Sequence, residues 1–161
     1  MRKVLIVDDD TIIRITLRSL INWEEMGFQI VADAIHGEAA LAYLKDHTVD
    51  LIISDMKMPV LDGIGLLEAV SRFEVMPKVL VLSGYDDFKL VRDAFRLGAC
   101  DYLLKPVNPD EVEASIRKAI RQIEAGRRLA ELAPVEPEPE ADPESDAAEA
   151  GENDRNALVM V

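Results

Sequence analysis

The sequence lacks features that would direct it to a membrane or to an oxidising compartment. No apolar run among its 161 residues approaches the roughly 20 residues that a membrane-spanning helix needs. The apolar stretch after Met1 is short and runs into three aspartates, unlike the longer core of a signal peptide. The single cysteine, Cys100, cannot form an internal disulfide. We therefore expect a cytoplasmic protein in a reducing setting, without membrane contact.

The sequence also lacks the basic stripe with which a domain grips nucleic acid. Its formal net charge is −13, and the excess of acid is uneven. Residues 1–124 carry 15 basic and 21 acidic side chains, whereas residues 125–161 carry 3 and 10. The first part is only moderately acidic, and its composition does not favour direct binding to nucleic acid.

Short apolar runs alternate with helical stretches five times along the chain. The predicted strands are residues 3–7, 28–34, 51–54, 78–82 and 102–104. The second run contains Gln29 and Asp33, which favours an edge position for that strand. Strands that alternate with helices predict an α/β fold, with a parallel sheet covered by helices on both faces.

Two helices show their starting signals in the sequence. Thr11 can cap the first helix, and Asn108 can cap the last one. The apolar residues of the first helix are expected to form its buried side: Ile12, Ile15, Leu17 and Leu20.

The composition divides the chain into three parts. Residues 1–124 hold the predicted domain, and residues 125–132 end its last helix. Residues 133–161 are rich in proline, glutamate and alanine, and we expect a disordered linker or tail because they bury little apolar surface. Its apolar end, residues 157–161, resembles the first turn of a further element that has been cut off.

Polar side chains follow four of the five predicted strands at the point where each strand ends. These residues are Asp8, Asp9, Asp10, Asp55, Ser83 and Lys105. Because ligands bind at the carboxyl ends of parallel strands, we expect these side chains at one edge of the sheet. Each alone is more often a cap, a turn residue or a surface lysine, and Asp10 is expected to be such a cap or turn residue. The joint pattern is much harder to obtain from structural needs.

This combination is typical of phosphoryl transfer onto a carboxylate. Crowded carboxylates repel one another, and a hard cation such as Mg²⁺ relieves the repulsion. Lys105 would supply a positive charge for a phosphoryl oxygen, and Ser83 a hydrogen-bond donor. Asp55 would attack phosphorus as the nucleophile and become an aspartyl phosphate.

Four motifs resemble the receiver domain of bacterial two-component response regulators. They are VLIVDDD at residues 4–10, SDMKMP at 54–59 followed by Asp62 and Gly63, VLSGY at 81–85, and DYLLKP at 101–106. They occur in the family's order and spacing over about residues 3–123. The resemblance, and not the hydrophobic pattern, implies a flavodoxin-like (CheY-like), doubly wound sheet of five parallel strands in the order 2-1-3-4-5.

The resemblance implies a role for each residue of the metal and acceptor site. Asp8 and Asp9 match the acidic pair that binds Mg²⁺, and Asp55 matches the phosphoacceptor, which also contacts the metal. Lys57 falls where the family supplies a backbone carbonyl to the metal. Lys57 and Tyr85 also occupy positions that tune autodephosphorylation in the family.

The remaining motif residues match the family's conformational switch. Ser83 corresponds to the switch hydroxyl, in place of the commoner threonine, and Tyr102 corresponds to the aromatic switch. Lys105 matches the lysine that contacts the phosphoryl group. The bond between Lys105 and Pro106 is expected to be cis.

The resemblance also implies partners. The phosphoryl donor would be a sensor histidine kinase, and two phosphorylated receivers would pair through the surface of the fourth helix, fifth strand and fifth helix. Candidate interface charges are Arg92, Asp101, Lys118 and Arg121.

Trp23-Glu24 and residues 83–88 look most like receivers of AraC-type helix-turn-helix regulators. Transcription would then be controlled through a DNA-binding domain that is missing here, and DNA would be contacted only through that domain. The chain is either cut before such an output domain, which we favour, or a free-standing receiver that acts by protein contact.

Three other functions are alternatives to that of a receiver. A phosphohydrolase of the haloacid-dehalogenase type would use Asp8 as its nucleophile. A flavodoxin-like mononucleotide binder would need a loop rich in Ser, Thr and Gly after the first strand, where three aspartates repel phosphate. A pseudo-receiver used only for docking is disfavoured by the intact site. As a receiver, the chain would not be an enzyme beyond self-phosphorylation and autodephosphorylation at Asp55.

Overall fold

The structure is a computed structural model that describes residues 1–84 and 86–132. The predictions for residues 133–161 and for Tyr85 lie outside these residues. Met1–Ile123 form one unit of the chain, and a second unit begins at Glu124, within the last helix.

Five parallel strands alternate with five helices in the described residues. The strands are β1 (Arg2–Val7), β2 (Phe28–Ala34), β3 (Leu51–Asp55), β4 (Lys78–Ser83) and β5 (Asp101–Leu104). The helices are α1 (Thr11–Leu20), α2 (Gly37–Leu44), α3 (Gly63–Val70), α4 (Phe88–Arg96) and α5 (Pro109–Leu132). The strand order β2-β1-β3-β4-β5 confirms the predicted topology, including the edge position of β2. None of these helices has the length and apolar character needed to cross a membrane.

The sheet carries apolar cores on both faces because alternate side chains of a strand point to opposite sides. Val4 of β1 packs in one cluster with Leu17 of α1 and residues of α5. Its neighbour Leu5 packs in the other cluster with Leu66 of α3. In β3 the buried apolar residues are followed by buried Ser54 and then by Asp55 at the carboxyl end. The charged residue of this central strand therefore lies at the edge of the sheet formed by the carboxyl ends of the strands.

The predicted cap Thr11 is wrong, and Asp10, which was expected to be a cap or a turn residue, takes that position. Asp10, and not Thr11, caps α1: its backbone is extended, and its Oδ1 accepts a hydrogen bond from Ile12 N–H at 2.9 Å. Thr11 is already the first helical residue. At α5 the predicted cap is present, since Asn108 Oδ1 accepts a hydrogen bond from Asp110 N–H at 2.9 Å.

The buried side of α1 is also narrower than expected. Leu17 is buried and Leu20 packs partly against the core, but Ile12 and Ile15 are 71% and 59% exposed. The face that meets the sheet follows the helical spacing of Ile13, Leu17 and Leu20, three positions at i, i+4 and i+7. Ile12 and Ile15 fall off this face, so their apolar character alone misled the prediction.

The loop between β3 and α3 packs tightly against the end of β3. Leu61 N–H donates to Pro59 O at 2.8 Å, and Val60 between them has a φ of 70°. This is the positive-φ form of the γ-turn, which is strained for a β-branched residue. A Cβ atom on Gly63 would lie 2.5 Å from the carbonyl oxygen of Asp55. A side chain at position 63 would therefore displace the backbone that carries Asp55.

Candidate functional site

Two neighbouring strands bring three carboxylates to one edge of the sheet. β1 and β3 are paired with Val7 opposite Ser54, so the next residues, Asp8 and Asp55, lie side by side. Asp9 follows on the same loop as Asp8. One oxygen atom from each of the three carboxylates lies within 4.8 Å of the others. The strand ends therefore converge at one edge.

Asp55 is held through only one of its carboxylate oxygens. The residue is buried, and its Oδ1 accepts a hydrogen bond from Met56 N–H at 2.8 Å. The same Oδ1 lies 3.2 Å from the Nζ of Lys105. Among the described residues, none donates a hydrogen bond to Oδ2. One oxygen is thus fixed in place while the other is left to react.

Asp8 is held through both of its oxygens. Oδ1 accepts a hydrogen bond from Asp10 N–H at 2.9 Å, and Oδ2 accepts one from Lys105 Nζ at 3.0 Å. Asp9 is exposed, and its carboxylate accepts no hydrogen bond from the described residues. Of the three carboxylates, that of Asp9 is therefore positioned by the backbone alone.

The ammonium of Lys105 bridges the two buried carboxylates, Asp8 and Asp55. The lysine follows β5, and its backbone N–H donates to Ser83 O at 2.8 Å, next to the pairing of Ser83 with Leu104. Its peptide bond to the following residue, Pro106, is cis. The fifth strand thus delivers a cation to the edge where the first and third strands deliver anions.

The pKa values of Asp55 and Lys105 are both raised, for different reasons. Burial, together with the charge of Asp8, raises the pKa of Asp55, although Lys105 acts against this rise. Burial alone would lower the pKa of Lys105, but the hydrogen bond and charge of Asp8, with those of Asp55, outweigh it and raise that pKa. Lys105 therefore stays a cation. The ionised form of Asp55 is less favourable in the folded protein than in water.

The set of donor atoms fits a hard divalent cation. In the described contacts the Lys105 ammonium lies against two of the three carboxylates and does not neutralise them all, so negative charge is in excess here. Mg²⁺ prefers oxygen ligands and retains several water molecules. The exposed Asp9 leaves one side of the cluster open to water or to a substrate oxygen. Asp8, Asp9 and Asp55 are thus able to hold such an ion.

Comparison with known proteins places this site in a family. The family model of the response regulator receiver domain matches residues 4–117. The chain belongs to this family.

Two curated relatives of the receiver are transcriptional regulators by name. The transcriptional regulatory protein HptR of Staphylococcus aureus (strain NCTC 8325 / PS 47) is 35% identical over 135 residues, which is 81% of this chain and 53% of that protein. The uncharacterized transcriptional regulatory protein YesN of Bacillus subtilis is 32% identical over 123 residues, which is 76% of this chain and 33% of that protein. The chain spans about half or less of the length of these relatives.

Solved receiver structures share the fold. The REC domain of the response regulator AraT from Geobacillus stearothermophilus is 36% identical, with a TM-score of 0.72 over 78% of this chain and 98% of that one. A CheX–CheY complex with BeF3 and Mg²⁺ from Borrelia burgdorferi is 29% identical, with a TM-score of 0.68 over 74% and 89% of the two chains. The predicted family and fold class are confirmed.

Three further residues that the sequence singled out lie on or beside the strands of the receiver. Ser83 is the last residue of β4 and is fully buried. Tyr102 lies in β5, half-buried, and packs against the apolar cluster that contains Leu5. Lys57 is exposed, two residues after Asp55. Their roles as switch residues and as a metal-binding carbonyl stay predictions.

One predicted interface charge is engaged within the receiver itself. Ser115 Oγ donates a hydrogen bond to Asp101 Oδ2 at 2.6 Å, and Asp101 Oδ1 accepts one from Tyr102 N–H at 2.9 Å. Asp101 therefore ties β5 to α5. Arg92 also has a partner on its own helix, because its guanidinium lies 6.0 Å from the centroid of the Phe88 ring.

Arg14 is a residue beside the site that the sequence reasoning missed. Its Nη1 donates a hydrogen bond to the carbonyl oxygen of Asp8 at 2.6 Å, and its Nε lies 3.5 Å from Asp33 Oδ2. The sequence shows only that an arginine follows the acidic residues closely, near the start of the helix that comes after them. That signal does not say whether the side chain turns toward the acids or toward solvent.

The raised pKa of Asp55 predicts that Asp55→Asn stabilises the receiver in the absence of divalent cations. Folding disfavours the carboxylate, so above the folded pKa the charge costs stability, and below the unfolded value of about 3.9 it costs nothing. The variant should gain on the order of 1 kcal/mol at pH 7. This gain should fade as the pH falls toward about 4.

Urea unfolding between pH 7 and pH 4, with a chelator present, measures the effect. Asp46→Asn is the matched control, because Asp46 is exposed and lies between α2 and β3, before the amino end of that strand and not at a carboxyl end. It should change the free energy of unfolding little at any pH. A less stable Asp55→Asn variant at pH 7, or a gain independent of pH, would contradict the electrostatic account.

Proposed function

We propose that the receiver accepts a phosphoryl group on Asp55 from a sensor histidine kinase and switches conformation to control an output. The observation that carries this proposal is the asymmetry of the two buried carboxylates. Asp55 has one oxygen fixed by Met56 and Lys105, and its other oxygen accepts no hydrogen bond from the described residues. Asp8 has both oxygens engaged. Asp55 is therefore the better placed nucleophile.

The transfer needs one bond to form and one to break. Oδ2 of Asp55 bonds to phosphorus as the phosphorus–nitrogen bond of the donor histidine breaks, and the departing imidazole nitrogen keeps the electron pair and takes up a proton. Lys105 supplies positive charge beside the acceptor oxygen. Asp8, Asp9, Asp55 and the backbone carbonyl of Lys57 would hold Mg²⁺, which when bound neutralises charge on the phosphoryl oxygens.

The rival phosphatase and nucleotide-binding functions are not favoured. A haloacid-dehalogenase-type phosphohydrolase would need Asp8 as a nucleophile, but both Asp8 oxygens already accept hydrogen bonds. A mononucleotide binder would place phosphate against Asp8, Asp9 and Asp55, whose charges repel it. The receiver is thus proposed to modify only itself, by phosphorylation and autodephosphorylation at Asp55.

The proposed response passes from the site to the surface of α4, β5 and α5. Ser83, at the buried end of β4, would turn its hydroxyl toward the new phosphoryl group, and Tyr102 would move inward as space opens. The two arrangements would be states of one equilibrium that phosphorylation biases. The changed surface would then pair two receivers as a homodimer.

The proposed output is transcription through a DNA-binding domain joined to the receiver. The relatives HptR and YesN are named as transcriptional regulators and are about two to three times as long as the matched region. We propose that DNA is contacted only by such a domain. A cytoplasmic setting is part of the same proposal and is compatible with the buried, unpaired thiol of Cys100.

Incubation with acetyl phosphate and Mg²⁺ tests the choice of nucleophile. The wild-type chain should become phosphorylated, and a chelator should abolish the reaction. Asp55→Asn should lose at least about 100-fold in rate because the attacking oxygen is gone. Asp8→Asn should still react, with a higher requirement for Mg²⁺. Phosphorylation of Asp55→Asn but not of Asp8→Asn would favour the phosphohydrolase instead.

Self-association with beryllofluoride, a stable phosphoryl mimic, tests the proposed dimer. Analytical ultracentrifugation should show a dimer of the wild-type receiver under these conditions. Phe88 at the start of α4 is 78% exposed, and Phe88→Asp should prevent that dimer. Val75→Asp is the matched control, since Val75 is 83% exposed but lies between α3 and β4. Equal dimerisation of the Phe88→Asp and Val75→Asp variants would exclude the α4 surface.

A further inference from the structure

Arg14 connects three parts of the domain beside the acidic edge. Its Nη1 donates to Asp8 O at 2.6 Å, and its Nη2 donates to the hydroxyl of Thr11 at 3.2 Å. Its Nε lies 3.5 Å from Asp33 Oδ2 in β2. The Arg14 side chain is only 13% exposed. Its planar guanidinium is therefore held in one orientation by groups from the β1–α1 loop, α1 and β2.

The hydrogen bond from Arg14 to the carbonyl of Asp8 also fixes the backbone of Asp9. That carbonyl and the N–H of Asp9 belong to one planar peptide unit, so holding the oxygen sets the direction in which Asp9 leaves the strand end. Asp8 and Asp55 have hydrogen bonds to their own carboxylates, whereas the Asp9 carboxylate accepts none from the described residues. The placement of Asp9 thus depends on its backbone.

We propose that Arg14 is a positioning residue for the Mg²⁺ site, because it sets Asp9 relative to Asp8 and Asp55 through the Asp8 carbonyl. This inference rests on the proposed function, which gives the three carboxylates a bound cation. Residues that hold a metal ligand in place from outside commonly change metal affinity by about 10–100-fold. The pair of Arg14 with Asp33 would then link the edge strand β2 to the site.

Simple electrostatics predicts the opposite effect of removing Arg14. Loss of a positive charge beside a cation site reduces repulsion, so Mg²⁺ should bind more tightly if charge alone matters. Loss of positioning should instead weaken binding. The sign of the change therefore separates the two explanations.

Calorimetric titration of the full chain with Mg²⁺ measures this sign. Arg14→Gln should bind Mg²⁺ about 10-fold more weakly than the wild type. Arg14→Lys, which keeps the charge but has a single ammonium, should show a smaller loss. Arg18→Gln is the matched control, since Arg18 lies on the same helix and 3.6 Å from the same Asp33 oxygen. It should bind as the wild type does, or slightly more tightly.

The rate of phosphorylation by acetyl phosphate gives a second reading. In Arg14→Gln the Mg²⁺ concentration for half-maximal rate should rise, while the rate at saturating Mg²⁺ should recover to near the wild-type value. A merely structural role would lower the unfolding midpoint and the maximal rate without moving the half-maximal concentration. Unfolding by urea establishes the folded fraction of each variant, and Arg14→Lys serves if Arg14→Gln is unfolded.

The outcomes distinguish this inference from the proposed function. Unchanged or tighter Mg²⁺ binding by both Arg14 variants, or an equal loss in Arg18→Gln, would overturn the role of Arg14. Asp9→Asn tests the metal site itself and should weaken binding. A wild-type chain that does not bind Mg²⁺, or an Asp9→Asn variant that binds it unchanged, would overturn the metal site on which both rest.

Discussion

The contact of the Lys105 ammonium with Asp8 and Asp55 is the constraint on which the site depends. Two buried carboxylates at adjacent strand ends repel each other, and the Lys105 ammonium lies against both of them. Lys105, which follows β5 on the other side of β4, offsets part of this repulsion. The carboxylates of Asp8, Asp9 and Asp55 together carry more negative charge than the Lys105 ammonium neutralises. A further positive charge, such as that of Mg²⁺, would therefore be favoured at this site.

The order of the strands explains why this contact can form. β1 and β3 are neighbours, so their last residues lie side by side, and β4 separates them from β5. A long, flexible lysine side chain can cross that separation, whereas an acid at the end of β5 could not reach as far. Gly63 lets α3 begin close against the Asp55 backbone. The packing of the backbone therefore sets the position of Asp55. The length of the lysine side chain allows Lys105 to reach it.

Much of the fold and most of the site could be predicted from the sequence. The central strands are buried on both faces and read as continuous apolar runs, so the residues at their carboxyl ends, such as Asp55, were easy to place. The pattern was less informative for α1, where Ile12 and Ile15 are apolar but exposed. An apolar residue reveals its preference for burial, but not which face of a helix meets the sheet.

Contacts that depend on side-chain direction could not be predicted. Arg14 reads as a surface arginine, and only the structure shows it turned toward the Asp8 carbonyl. Asp101 accepts a hydrogen bond from Ser115, fourteen residues away along the chain, which the sequence did not indicate; its role as an interface charge stays a prediction. Both contacts join a helix to the end of a strand or loop. Their geometry follows from how helices pack, which local sequence does not specify.

Chemical mapping of the phosphorylated residue tests the central claim most directly. Borohydride reduces an acyl phosphate to an alcohol, so the wild-type chain treated with acetyl phosphate and Mg²⁺ can be reduced, digested and analysed by mass spectrometry. We expect conversion of the aspartate at position 55 to homoserine and no change at the other aspartates. Conversion at Asp8 or Asp9, or the absence of any conversion, would contradict it.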